Sequence, residues 1–194
     1  MSIVCTSNTG RPDPRRILQR LERAENADRI IYRTEAGTFT PIIHGLAVPW
    51  HKRRLIQLPG RPTHWEYFVL GAFRETIGLH RIEARINHKE NTTFADTADG
   101  GLTLEETPAG LAYEMRPQDT PAGRGALLAV RQCRARGASV LFKKSAWPEM
   151  EPGESFPVCR QTCVELIDVS IAVDVAPQYP TTTCFLRWEK LHHF

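Results

Sequence analysis

The chain has 194 residues, of which 41% are hydrophobic and 24% charged, and its 25 Lys and Arg residues barely exceed its 22 Asp and Glu residues. This length suits one domain with a substantial core, and the proportions are those of an ordinary globular protein. The small excess of positive charge does not favour a nucleic-acid partner. No apolar run approaches the roughly 18 residues of a membrane span and no secretory signal pattern begins the chain, so we expect an intracellular protein without membrane contact.

The five cysteines form no recognisable disulfide or metal pattern, so we expect reduced thiols. Cys159 and Cys163 would lie about 13 Å apart along one strand, too far to bridge without a bend. A zinc site that combines them with His192 and His193 is conceivable, but neither spacing matches known zinc sites. We therefore expect no metal ion and no cofactor.

The N-terminal segment, residues 1 to 37, is predicted to be a loose leader followed by a short amphipathic helix. Ile17, Leu18 and Leu21 recur at helical spacing after Asp13, a suitable helix cap. β-Branched and apolar residues then predict strands over residues 29–33 and 37–48. The folded domain is expected to start at residue 38.

The middle of the chain predicts further strands, turns and one helix. The apolar segment 66–73 is predicted to form a turn that leads into a short helix. Alternating residues in 101–105 and 110–115 predict a β-hairpin. Segment 119–123 then opens a helix that continues over 126–136, after which Gly137 is a natural residue to end it.

His88 ends a predicted strand in which apolar and polar residues alternate. Ile82, Ala84 and Ile86 share a face with it, so the alternation places His88 on the apolar side. A histidine there is usually a packed core or edge residue, although its near-neutral pKa suits acid–base catalysis.

Ser139 lies between small residues and an apolar run that ends at Phe142. Small residues beside Ser139 would let a substrate backbone come close, which makes this serine a candidate nucleophile. The alternative is an ordinary serine that bonds to solvent or to nearby backbone.

Asp168 lies in a strongly predicted strand, Val164 to Val173. Ile167, Val169 and Ile171 form its apolar face, and Asp168 falls on the other face. A solvated strand carboxylate is the simplest interpretation of Asp168 from this pattern alone.

Several short motifs recur in a characteristic order: Gly45-Leu-Ala-Val48, Gly71-Ala-Phe73, Asn87-His88, Gly101-Leu-Thr-Leu104 with Gly110-Leu111, Ser139 to Phe142, Trp147, Leu166-Ile-Asp-Val-Ser170 and Pro177-Gln-Tyr-Pro180. Through them the chain resembles the tailed-phage prohead proteases, the head-maturation serine peptidases related in fold to herpesvirus assemblin. The resemblance covers residues 38–187, leaving a short tail at 188–194. Its strength lies in the order and spacing of many weak motifs.

The resemblance implies a catalytic group of His88, Ser139 and Asp168. Three positions depart from the family pattern: Lys89 replaces an acidic residue, Val140 replaces an aromatic residue, and Asp168 replaces a glutamate. The last departure concerns the chemistry most directly, because a shorter side chain must still reach the histidine to orient it.

The resemblance also implies an α+β fold, built on a mostly antiparallel β-barrel surrounded by a few helices. It implies an endopeptidase that cleaves scaffold segments of the immature phage head, and also itself, with capsid and scaffold proteins as partners. An assemblin-like homodimer and a location inside the immature head, in the cytoplasm of the bacterial host, are further implications. No cofactor, nucleic acid or membrane is implied.

Two other functions compete with this interpretation. One is a catalytically inactive head-assembly or scaffold-binding protein with the same fold, because a fold does not guarantee its activity. The other is a thiol peptidase that uses Cys133, whose basic neighbours Arg131, Arg134 and Arg136 could lower the pKa of its thiol.

Overall fold

The computed structural model of the protein describes residues 2–3, 32–34, 37–144 and 146–190. The predicted leader and amphipathic helix lie almost entirely outside these residues. The described chain is mostly β-strand, with one α-helix and one short 3₁₀ helix at Glu90–Thr92. Its elements are β1 (Ser2–Ile3), β2 (Tyr32–Thr34), β3 (Gly37–Pro49), β4 (Arg54–Ile56), β5 (His64–Phe68), β6 (Glu83–Ile86), β7 (Ala95–Asp96), β8 (Leu102–Thr107), β9 (Gly110–Met115), α1 (Pro121–Arg131), β10 (Ala135–Lys144), β11 (Val158–Gln161), β12 (Val164–Val173) and β13 (Phe185–Lys190).

The first sheet is antiparallel throughout, with the strand order β1-β13-β3-β9-β8 and with β2 paired to β3. The predicted hairpin is confirmed, because β8 and β9 pair with Thr107 opposite Gly110. A side chain at Gly110 would come within 2.1 Å of the Val48 carbonyl oxygen, so only glycine fits where the hairpin meets β3.

The second sheet has the order β10-β12-β6-β7 and carries the residues of interest. Its central strand β12 runs antiparallel to β10 and parallel to β6. Ser170 of β12 lies opposite both Ser139 of β10 and Arg85 of β6. Because directly opposite residues point to the same side of a sheet, these three side chains share one polar face.

The third sheet has the order β11-β5-β4 and pairs β11 with β5 in parallel. The prediction of mostly antiparallel sheets is confirmed, but the described strands do not close into the predicted barrel. A closed barrel needs every strand to have two neighbours, whereas β10 and β7 each have one within the described chain. The described residues also contain one α-helix, whereas a few helices were expected.

The helix α1 begins where the sequence predicts but ends earlier. The Thr120 hydroxyl oxygen caps it by accepting a hydrogen bond from the Gly123 N–H at 3.1 Å. The helix ends at Arg131, and Cys133 takes the left-handed conformation (φ 58°) that was expected for Gly137. The chain therefore enters β10 at Ala135, and Gly137 is already a strand residue.

One hydrophobic core joins the three sheets and α1. Phe68 of the third sheet stacks on Phe73 with ring centroids 5.1 Å apart, and it meets Phe142 of β10 edge-on at 5.0 Å. Phe73 lies among consecutive turns between β5 and β6, where a short helix was predicted. No helix among the described residues is long and apolar enough to cross a membrane.

Candidate active site

The chain reverses direction just after β6, and this reversal determines where His88 points. Asn87 and His88 both adopt left-handed backbone conformations, with φ of 51° and 59°. Such angles are uncommon for residues other than glycine, and asparagine is among the types that tolerate them best. The Asn87 side chain donates to the Val173 carbonyl at 3.0 Å and accepts from the Val173 N–H at 2.8 Å, which ties the turn to β12.

His88 does not lie on the apolar face, so that prediction is wrong. Two-residue alternation holds only for extended backbone, and the extended conformation ends at Ile86. The turn carries the imidazole to the polar face of the second sheet instead. There His88 Nδ1 lies 2.7 Å from Asp168 Oδ1, with 31% of the His88 side chain exposed.

Asp168 is fully buried, not solvated as its strand pattern suggested. Besides His88, its carboxylate accepts a hydrogen bond from the Ser170 hydroxyl at 2.8 Å and lies 3.4 Å from the Arg85 guanidinium. The Ser170 oxygen in turn accepts the His88 backbone N–H at 3.0 Å. A buried carboxylate needs such partners to offset the loss of water. One of them, Ser170, also holds the His88 backbone.

Arg85 is shared between two carboxylates on the polar face. It contacts Glu83 at 2.6 Å and Asp168 at 3.4 Å. Burial opposes ionisation of Glu83, but hydrogen bonds from Arg85 and Thr93 outweigh it and hold the pKa of Glu83 below its ordinary value. Arg85 approaches Oδ2 of Asp168, whereas His88 bonds to Oδ1. The guanidinium and the imidazole therefore do not compete for the same oxygen.

Ser139 lies on β10, half-buried and directly opposite Ser170. Its hydroxyl donates to Gln178 Oε1 at 3.3 Å. Among the hydrogen bonds of the described residues, none joins Ser139 to His88. Because His88 Nδ1 bonds to the carboxylate, Nε2 is the ring nitrogen left to act as a base, and catalytic hydrogen bonds often shorten only when substrate binds.

Small residues beside Ser139 make room for another segment of the chain. A side chain at Gly137 would come within 2.5 Å of Thr182 Oγ1 and 2.8 Å of Pro177 Cγ. The Ala138 N–H also donates to Thr182 Oγ1 at 3.2 Å. The segment between β12 and β13 therefore packs on β10 just before Ser139.

The three departures from the family pattern have different structural consequences. The shorter Asp168 still reaches His88, because the His88 turn brings the imidazole to β12. Val140 is buried in the core on the face opposite Ser139. Lys89 is exposed, and its N–H closes the turn by donating to the Ile86 carbonyl at 3.1 Å.

The cysteines divide into two groups. Cys159, Cys163 and Cys184 are reduced thiols, as expected, whereas Cys133 is disulfide-bonded, contrary to expectation. A disulfide-bonded sulfur cannot serve as a thiolate nucleophile, which removes the basis of the thiol-peptidase alternative. No cluster of His, Cys, Asp or Glu among the described residues could hold a metal ion, and His192 and His193 lie outside these residues.

Three residues around the candidate site were not identified from the sequence. Ser170 had an available signal, because a residue two positions after Asp168 in a strand shares its face. Arg85 had none, since its contact depends on the parallel pairing of β6 with β12. Gln178 lies within the Pro177–Pro180 motif, but its contact with Ser139 depends on the path of the chain after β12.

An imidazole oriented by a buried carboxylate, with a serine on a neighbouring strand, comprises the groups that serine peptidases use. The family model described as the caudovirus prohead serine protease matches residues 30–194. The chain belongs to this family and is a serine peptidase of the prohead, which confirms the resemblance drawn from its motifs. Neither the curated proteins nor the solved structures include a significant match.

Proposed function

We propose that the protein is an endopeptidase in which Ser139 is the nucleophile, His88 the general base and Asp168 the residue that orients His88. The observation that carries this assignment is the 2.7 Å contact between His88 Nδ1 and the buried Asp168 carboxylate in a chain of a serine-peptidase family. With Nδ1–H donated to Asp168, the Nε2 lone pair is free to take the Ser139 proton.

The reaction follows from these roles. Ser139 Oγ bonds to the carbonyl carbon of the scissile peptide while its proton passes to His88 Nε2, and the carbonyl π electrons move onto oxygen. When the oxyanion collapses, the carbon–nitrogen bond breaks and His88 gives its proton to the departing amine. Water then attacks the acyl-enzyme ester, again losing a proton to His88, and the acid product leaves as Ser139 regains its proton. Asp168 stabilises the imidazolium that forms in each half of the reaction.

The proposed substrates are the major capsid and scaffold proteins of the phage head, with self-cleavage as part of the same activity. Support comes from the family to which the chain belongs, whose description names the prohead. The proposed site of action is the interior of the immature head within the host cytoplasm. Two further proposals rest on motif order: a protease domain at residues 38–187, between the segments 1–37 and 188–194, and an assemblin-like homodimer.

Co-expression with the capsid and scaffold proteins of the same phage tests the function, with intact masses recorded for every product. We expect the wild-type chain to shorten one of these proteins or itself, and Ser139→Ala to abolish the shortening. Ser155→Ala, which alters an exposed serine in the loop before β11, is the matched control and should cleave normally. Shortening that persists with Ser139→Ala would contradict the role of Ser139. Full-length products with both the wild type and Ser139→Ala, with binding to the scaffold retained, would favour the inactive assembly protein.

A further inference from the structure

Gln178 lies in a segment whose neighbouring residues are anchored on both sides. Pro177 packs against Gly137 of β10, within 2.8 Å of where a side chain there would begin. Tyr179 is 2% exposed and its ring meets Phe68 edge-on, with centroids 6.0 Å apart. These anchors hold the half-buried Gln178 side chain beside the strand that carries Ser139.

A second anchor joins the same segment to β10. Thr182 Oγ1 donates to the Tyr179 carbonyl at 2.9 Å and accepts the Ala138 N–H at 3.2 Å. Because Ala138 directly precedes Ser139, this hydrogen bond links the position of the Gln178 segment to the position of the serine. The position of Gln178 relative to Ser139 is thus set by packing and by buried hydrogen bonds, not by the Gln178 side chain alone.

The carboxamide of Gln178 is hydrogen-bonded to Ser139 Oγ, the proposed nucleophilic atom. Ser139 Oγ donates to Gln178 Oε1 at 3.3 Å. A carboxamide carries two N–H donors on the same carbon as this oxygen, so rotation about its last bond directs Nε2 to the same place. That rotation also releases the Ser139 proton, which can then pass to His88.

We propose that Gln178 is a catalytic residue that donates an N–H to the oxyanion formed when Ser139 attacks a peptide carbonyl. This inference rests on the proposed role of Ser139. The oxyanion is borne by the carbon newly bonded to Ser139 Oγ, so a carboxamide within hydrogen-bond distance of Oγ can reach it. Glutamine side chains serve as donors of this kind, and their value lies in being positioned before the charge develops.

The test measures how fast Ser139 reacts with a fluorophosphonate, a probe that phosphonylates activated serines with loss of fluoride and places its phosphonyl oxygen where the oxyanion forms. Gln178→Met keeps the length of the side chain but lacks donor and acceptor, and Gln178→Glu keeps an acceptor but loses the donor. We expect the second-order labelling rate to fall about 10²- to 10³-fold in both variants, the usual effect of removing one oxyanion donor. Gln57→Ala, in the exposed loop after β4, is the control and should label like the wild type.

A second measurement distinguishes an N–H donated by Gln178 to the oxyanion from a purely structural role of Gln178 in the segment between β12 and β13. A peptide aldehyde that forms a hemiacetal with Ser139 should bind both Gln178 variants more weakly by the same factor as the labelling rate, while their melting temperatures stay near that of the wild type. Labelling at the wild-type rate, or faster labelling because Ser139 is released, would overturn the inference. If Ser139→Ala is still labelled or still cleaves, the proposed function itself fails, a result distinct from either of these.

Discussion

His88 Nδ1 and Asp168 Oδ1 are 2.7 Å apart although 80 residues separate them in the chain. The contact depends on two features: the parallel pairing of β6 with β12 and the left-handed turn that follows β6. The pairing places Ile86, the last residue of β6, beside Ile171 of β12, and the turn directs the His88 imidazole back onto the Asp168 carboxylate. His88 is thereby oriented by backbone geometry as well as by its own hydrogen bond.

Asp168→Asn tests whether the carboxylate orients the imidazole. Asparagine has nearly the same volume, but its amide would favour the ring tautomer with the proton on Nε2, which cannot accept the Ser139 proton. We expect fluorophosphonate labelling of Ser139 to slow about 10³- to 10⁴-fold. The control Asp119→Asn alters an exposed carboxylate paired with Arg124 and should label normally. A rate for Asp168→Asn within about threefold of the wild type would contradict the orienting role.

Substitutions at Asn87 test the turn that positions His88. Asn87→Ala removes two hydrogen bonds to Val173 and forces alanine into the left-handed region, at a cost of about 1 kcal/mol. Asn87→Gly removes the same hydrogen bonds without that strain. We therefore expect the alanine variant to have the lower free energy of unfolding in urea, by about 1 kcal/mol. An alanine variant more stable than the glycine variant would show that the left-handed turn is not retained.

Gly137→Ala tests the packing of the Gln178 segment on β10. The added methyl group would meet Thr182 and Pro177 at 2.5 and 2.8 Å, so we expect a loss of about 1–3 kcal/mol and slower labelling of Ser139. Gly125→Ala is the matched control, because Gly125 lies in α1 with no neighbour near its added carbon. That change should raise stability by about 0.5–1 kcal/mol, since alanine favours helix. Equal stability of the two alanine variants in urea denaturation would contradict the packing.

Asp96 makes the stability of the second sheet sensitive to acid. Burial opposes its ionisation, but hydrogen bonds from the Asp99 N–H, Arg81 and the Ala98 N–H outweigh it and hold the pKa of Asp96 below its ordinary value. The folded state therefore binds this proton less readily than the unfolded state. The stabilisation is present above the unfolded pKa of about 4 and is lost as the pH falls through the lower folded pKa.

The measurement is the free energy of unfolding in urea at several pH values between about 7 and 3. Asp96→Asn should be less stable near neutral pH and should show a shallower decline toward acid, because this linked proton is absent. Identical pH slopes for the wild type and Asp96→Asn would contradict the role assigned to Asp96.

The candidate site was predictable in part, and the reason differs among its members. His88, Ser139 and Asp168 were selected by the order of weak motifs, since each residue alone had an ordinary explanation. The hairpin of β8 and β9 and the strand β12 followed from alternation, which is a local property of extended chain. The end of α1 was misplaced because Cys133, not a glycine, takes the left-handed position.

The family, the candidate residues and several strands could be predicted from the amino-acid sequence, because all three depend on residue types at short or ordered spacings. Three features depend on contacts between distant parts of the chain: His88 points to the polar face, Asp168 is buried, and Ser139 bonds to Gln178. The arrangement of the described strands in three open sheets depends on such contacts as well. These features arise from pairing between distant strands and from a two-residue left-handed turn, and neither leaves a periodic signal in the sequence.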